Sequence, residues 1–286
     1  MLIIFGLIIL FVLADSIRGY LTAKNKKRYL IQLSVGLPIV TLLFFLFGPF
    51  FALSPIKLGY SSFIEGNLVV YYPSSQAEMG KKVFEMAQQA TQINNRFYQT
   101  QIGFPVVVVT SEFDMLRFGA PPQAGGSGNE LAINIRAQRA SWNIIAHEMS
   151  HRNLRSVINK TTFSLPKWFD EGLASYLGKM DYYKKEGDLK VDLETDRYRQ
   201  DMPTWNGFLG NLRWMWTVFR EKGGSKQLYG QAYLMTKYLF DKYEEEKVYQ
   251  FALALKKNSF DDAFLQTFGL TQEQFHQDFI NYIRNS

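Results

Sequence analysis

Residues 147–151 read His147-Glu148-Met149-Ser150-His151, two histidines four apart with a glutamate beside the first. Residues i and i+4 of a helix are surface neighbours, so both imidazoles can reach one metal ion while Glu148, one step round, faces a water on that ion. This is the pattern of a zinc site that carries its own base. Catalytic zinc takes three protein ligands and keeps one position open, so the pattern predicts one further ligand elsewhere in the chain. A candidate lies twenty residues after His151, within Leu165-Pro166-Lys167-Trp168-Phe169-Asp170-Glu171-Gly172-Leu173-Ala174-Ser175-Tyr176. The bland alternative is two helical histidines that are merely hydrogen-bonded. The remaining histidine, His276, stands alone near the C-terminus and reads as a surface or groove residue rather than a ligand.

With these two segments the chain resembles the gluzincin metallopeptidases, the family of thermolysin and aminopeptidase N. In that family a second helix, often opening with Pro-x-Trp and containing Glu-Gly-x-Ala, supplies a glutamate as third zinc ligand. The resemblance implies Glu171 for that role beside His147 and His151, with Glu148 as general base. A looser likeness concerns Tyr229-Gly230-Gln231-Ala232-Tyr233, which stands where aminopeptidase N-like enzymes carry Tyr-Glu-Lys-Gly and a tyrosine hydroxyl that binds the oxyanion. Tyr229 aligns with that tyrosine, and Tyr233, one turn later, competes for the role. The Gly-x-Met-Glu-Asn motif that recognises a free substrate amine has no counterpart here, which favours cleavage inside peptides or proteins. The likeness is strongest over residues 143–176 and covers the flanking domain only in outline.

Composition bounds the partners. The chain of 286 residues has no cysteine, which excludes a disulfide framework and any thiolate ligand. Net charge is +6, and residues 1–57 hold +5 of it, from Arg18, Lys24, Lys26, Lys27, Arg28 and Lys57 against Asp15. The rest of the chain, from residue 58 onward, is close to neutral, so no nucleic-acid partner is implied.

The early charges read as membrane topology. Residues 33–53 carry no charged side chain and are long enough to span a hydrocarbon core, so a transmembrane helix is expected there; a buried core helix is the alternative. Residues 1–14 form a shorter apolar run that suits a short span, an interfacial helix or a signal-like segment. Lys24-Asn25-Lys26-Lys27-Arg28 separates the two runs, and the positive-inside rule puts that loop in the cytoplasm. The expected organisation is a membrane anchor over 1–57, with one or two spans, and a peptidase domain over 58–286 outside the cytoplasmic membrane.

That domain reads as an α+β, zincin-like unit with a small mixed sheet, active-site helices and a helical C-terminal half. Strands are expected at 67–72 and at the valine-rich 105–110, with a helix at 76–100 between them. A Gly- and Pro-rich loop covers 119–129, a short strand 131–135, and Trp142 opens the metal helix. Resemblance suggests that 131–136 is the edge strand beside which an extended substrate lies; an ordinary sheet strand is the other reading. Residues 58–178 would hold the sheet and the zinc helices, 179–204 a polar insertion, and 205–286 a helical subdomain. Within the insertion, 179–201 reads as a surface segment, solvated or acting as a lid or partner site. Trp205, Trp214 and Trp216 read as core more than cleft. Thr271 followed by Gln274 is a capping-box pattern.

The expected function is a membrane-tethered zinc endopeptidase acting on extracytoplasmic peptides or envelope proteins, its partners being that substrate and the lipid bilayer. Zinc lowers the pKa of a bound water. Glu148 then accepts the proton during attack on a peptide carbonyl and afterwards delivers it to the leaving amine. A different class is a binding or assembly factor that keeps the metal but does not cleave. A third reading has the site open only when 179–201 moves.

Overall fold

A computed structural model describes the chain except residues 1, 24–25, 49, 101–102, 129–130, 162–163, 181–185, 195–197, 222–223 and 286. Parts of the basic loop and of the expected insertion therefore lie outside the described residues. Two compact units form, residues 1–85 with 103–140 and residues 86–102 with 141–286.

The first unit opens with helix α1 (Leu2–Thr22), which contains the first apolar run. Helix α2 (Lys27–Ile31) continues through a π turn at Gln32–Gly36 into α3 (Leu37–Phe47). Pro38 explains the widened turn: it lacks an N–H, and its ring crowds the carbonyl four residues back, so the helix before it opens by one residue. The whole stretch Lys27–Phe47 is 21 residues long, apolar enough to cross a membrane and not buried by the rest of the chain. That surface does not fit a core helix. The expected limits of 33–53 need correction, because Gly48 leaves helical geometry ahead of a proline. Phe51–Leu53 is instead a 3₁₀ turn that buries Phe51 with Val107, Val109, Met115 and Phe118. The Lys57 ammonium holds this turn by donating to the carbonyls of Phe51, Ala52 and Ser54.

A five-stranded mixed sheet comes next, in the order β1-β2-β3-β5-β4. Strands β1 (Tyr60–Glu65) and β2 (Leu68–Pro73) form a hairpin through Gly66-Asn67, where Gly66 takes a φ of 54° that glycine adopts without strain. Helix α4 (Ala77–Tyr98) then leads to β3 (Pro105–Val109), parallel to β2. Val106 to Val109 are all buried, as a strand covered on both faces requires. Helix α5 (Glu112–Arg117) is capped by the Ser111 hydroxyl.

Two strands lack a signal in the sequence, β1 and the three-residue β4 (Gly126–Gly128) inside the glycine-rich stretch. The second changes a functional expectation. Strand β5 (Ile133–Arg136) has β3 on one side and β4 on the other, with Gly126 opposite Ile135 and Gly128 opposite Ile133. Residues 131–136 are therefore not the edge of the sheet; β4 is.

The second unit is helical: the end of α4, then α6 (Trp142–Ile158), α7 (Lys167–Leu177), α8 (Glu186–Glu194), α9 (Gly207–Arg220), α10 (Gly224–Lys242), α11 (Glu245–Ala254), α12 (Phe260–Phe268) and α13 (Gln272–Asn285). Its core is largely aromatic: Trp168 stacks on Phe275 at 5.6 Å, and Phe251 meets Phe264 edge-on at 5.4 Å. Gly172 is what lets α10 close on α7, since a Cβ there would stand 2.3 Å from Thr236 Oγ1 and 2.4 Å from the Ala232 carbonyl oxygen. The expected capping box forms at α13, where Gln274 Oε1 accepts from Thr271 N–H at 2.8 Å and Thr271 Oγ1 accepts from Gln274 N–H at 3.1 Å. Among the described residues of 179–201, Leu189 and Tyr198 are built into the core, so this stretch is not simply a solvated insertion. Trp205 and Trp214 are also buried, whereas Trp216 is exposed.

Candidate metal centre

Helix α6 starts at Ser141, whose hydroxyl accepts from Ile144 N–H, and stops at Asn159, held in the left-handed region with φ 51°. One of its faces is fixed by α4. The Asn94 amide donates to the Ala146 carbonyl at 3.0 Å, the Tyr98 hydroxyl lies 2.8 Å from Ser150 Oγ, and the Asn153 amide donates to Asn94 Oδ1 at 3.2 Å. About a quarter-turn round the helix, His147 and His151 project toward α7. Helix α7 presents Lys167 and, one turn on, Asp170 and Glu171 there, all buried.

Three donor atoms converge. His147 Nε2 and His151 Nε2 are 3.2 Å apart, His147 Nε2 is 3.4 Å from Glu171 Oε2, and His151 Nε2 is 3.3 Å from the same oxygen. Each histidine has its other ring nitrogen engaged by the protein. Asp170 Oδ1 lies 2.7 Å from His151 Nδ1, and Ser175 Oγ lies 3.4 Å from His147 Nδ1. Both Nε2 atoms are thereby aimed at one point, and His147, His151 and Glu171 could hold a metal ion.

Lys167 completes the charge pattern, donating to Asp170 Oδ2 at 2.9 Å and Glu171 Oε1 at 3.2 Å. Burial works against every charge here, yet the partners outweigh it. Lys167 and His151 hold the Asp170 carboxyl below its usual range and Glu171 well below it. Asp170 and Glu171 in turn hold His151 well above the ordinary imidazole range and raise Lys167. The two ionised carboxylates balance the Lys167 ammonium and a protonated His151; a metal ion taking the place of the His151 proton would meet two carboxylates against one ammonium, a net negative set that suits a cation.

Glu148 is half-buried on α6, next to His147. The Tyr229 ring lies 6.1 Å from that of His147 and has Trp214 edge-on at 5.3 Å. Tyr233 instead has the Tyr176 ring at 6.2 Å. The ring contact with His147 favours Tyr229 of the two candidate tyrosines. His276 is buried rather than a surface residue, with its Nε2 2.6 Å from the Tyr198 hydroxyl. Sequence reasoning passes over Asp170, Ser175 and Lys167. Asp170 has a signal: a carboxylate beside a metal-binding glutamate is a ready partner for the second nitrogen of a ligand histidine.

No model of a known protein family matches this chain, and no curated protein sequence matches it.

Proposed function

We propose that the chain is a membrane-tethered zinc endopeptidase of gluzincin type, hydrolysing peptide bonds of extracytoplasmic peptides or envelope proteins. The observation that carries this reading is the buried triangle of donors, with edges of 3.2, 3.3 and 3.4 Å. Ligands about 2.0–2.1 Å from a tetrahedral zinc ion are separated by about 3.3 Å, so the spacing supports zinc, and two imidazoles with one carboxylate are a donor set it takes in catalytic sites. Bound there, zinc would supply a water of lowered pKa and polarise a carbonyl. Glu148 takes the proton of the attacking water and returns it to the leaving amine. Asp170 fixes the ring of His151, and Ser175 that of His147. Tyr229 donates to the oxygen that gains charge at the scissile carbonyl. Location rests on the basic loop before Lys27–Phe47, which favours a cytoplasmic start to that helix and an exit on the far side.

The test uses the full chain in detergent with a fluorogenic peptide library, beside Glu148→Gln. The variant should keep its zinc and lose about 10²–10⁴-fold in cleavage rate. Equal cleavage by both would remove Glu148 from the chemistry. Zinc bound in both with cleavage by neither would replace this reading with a binding or assembly factor.

A further inference from the structure

Helix α9 (Gly207–Arg220) is amphipathic the wrong way round for a helix of a water-soluble surface. Its inward side holds Gly210, Asn211, Trp214 and Thr217, and Gly210 lets the backbone of Trp205 press against it, a Cβ there standing 2.5 Å from the Trp205 carbonyl carbon. The outward side carries Phe208, Leu209, Leu212, Met215, Trp216 and Phe219, exposed to 71, 77, 47, 53, 63 and 56 %. Positions 208, 212, 215 and 219 form one stripe, and 209, 212 and 216 a second beside it. Isolated exposed apolar residues are ordinary, but six on one helix face form a contiguous surface that water solvates poorly.

The charges carried by α9 itself are basic, and one of them is paired: Asp201 lies 2.6 Å from Arg213. Arg213 and Arg220 both lie along one edge of the apolar stripe, and α9 contains no acidic residue. Arg213 lies over the Trp205 ring at 4.6 Å, and Arg220 over Trp216 at 5.7 Å. An apolar stripe containing tryptophan and bordered by arginine is the composition of a helix lying in the headgroup region of a membrane. With Arg213 paired to Asp201, a second copy meeting the same face would set Arg220 against Arg220 with no carboxylate on the helix between them, so charge complementarity favours an anionic lipid surface over self-association.

We infer that α9 is an interfacial helix, laying its Phe208–Phe219 face on the anionic bilayer in which the chain is anchored. The inference deepens the proposed function and rests on its membrane tether. Held near the bilayer by Lys27–Phe47, the domain meets lipid at high effective concentration, so one short helix suffices where a free protein would need a second attachment. Trp214, on the inward side, touches Tyr229, so docking of α9 would hold the candidate catalytic site close to the membrane surface and select substrate segments that lie there.

The chain lacks cysteine, so a single introduced cysteine gives a unique label. The full chain is reconstituted into phosphatidylcholine–phosphatidylglycerol vesicles with a fluorophore at Leu209→Cys, at Lys257→Cys as an exposed reference on another part of the unit, or at Leu42→Cys within the apolar helix. Nitroxide lipids and iodide, present on both sides, serve as quenchers. The label at 209 should be quenched by nitroxide lipid about threefold or more over that at 257, and be shielded from iodide. Equal behaviour at 209 and 257 overturns the inference, as does a label at 209 shielded from both quenchers, which would mark a protein cover. Lipid quenching at 42 without quenching at 209 sinks the interfacial helix and leaves the tether standing. No lipid quenching at 42 removes the tether itself.

Discussion

His151 and His276 are both held inside the helical unit, yet their surroundings drive them in opposite directions. His151 faces two carboxylates, Asp170 at 2.7 Å and Glu171 at 3.3 Å, and is held well above the usual imidazole range. Among the described residues no such charge acts on His276, and burial lowers it to about 4, a neutral ring whose Nε2 lies 2.6 Å from the Tyr198 hydroxyl. The second case is what a core does with a histidine: it keeps the ring uncharged and satisfies its nitrogen. At the first, the fold gathers an ammonium, two carboxylates and two imidazoles out of water, an arrangement that costs several kcal/mol per ion before pairing offsets it. Apolar residues would stabilise that position at least as well, so the cluster is better understood as a site than as a brace.

The largest effect that sharpens this contrast is a dependence of stability on pH at His276. Between pH about 6.5 and about 4 the unfolded chain binds a proton on this ring that the folded chain refuses, so stability falls as pH drops through that window and this contribution levels off below it. The loss should be roughly 3 kcal/mol. Comparing the parent with His276→Gln by thermal unfolding at pH 7 and pH 4.5 isolates it, because glutamine can accept from Tyr198 without titrating. An unchanged pH dependence would mean that the ring is not held neutral.

Asp170→Asn attacks the other histidine. It keeps the shape but removes the carboxylate that orients His151, and zinc affinity should fall about 10- to 100-fold by competition with a chromogenic chelator. A change under twofold would make Asp170 a mere partner of Lys167. The smallest effect is Thr271→Ala, which removes half of the capping box on the helix carrying His276. It should cost about 1 kcal/mol in thermal unfolding while zinc binding stays as in the parent.

Legibility in the sequence depends on how local each signal is. The metal helix, the glutamate helix, α4, β2, β3 and the capping box each have their determinants within a few residues, such as Ser141 ahead of Trp142 or four successive valines. Strands β1 and β4 do not. Tyr60–Glu65 alternates weakly, and Gly126–Gly128 has no strand character of its own; each exists because a partner strand offers hydrogen bonds. The Asp170–His151 pair requires α6 and α7 to be laid side by side, and α7 is in turn held by α10 through the absence of a side chain at Gly172. Trp216 misleads for a related reason: helical spacing shows that Trp214 and Trp216 sit on different faces but not which face is covered.

The central claim is that His147, His151 and Glu171 together bind a metal ion, and metal content of the purified full chain tests it most directly. After dialysis against a weak chelator, elemental analysis should find about one zinc per chain in the parent and a loss of most of it in His151→Ala, with the helical circular dichroism unchanged. A parent that retains no zinc, or a variant that retains as much as the parent, would contradict the account.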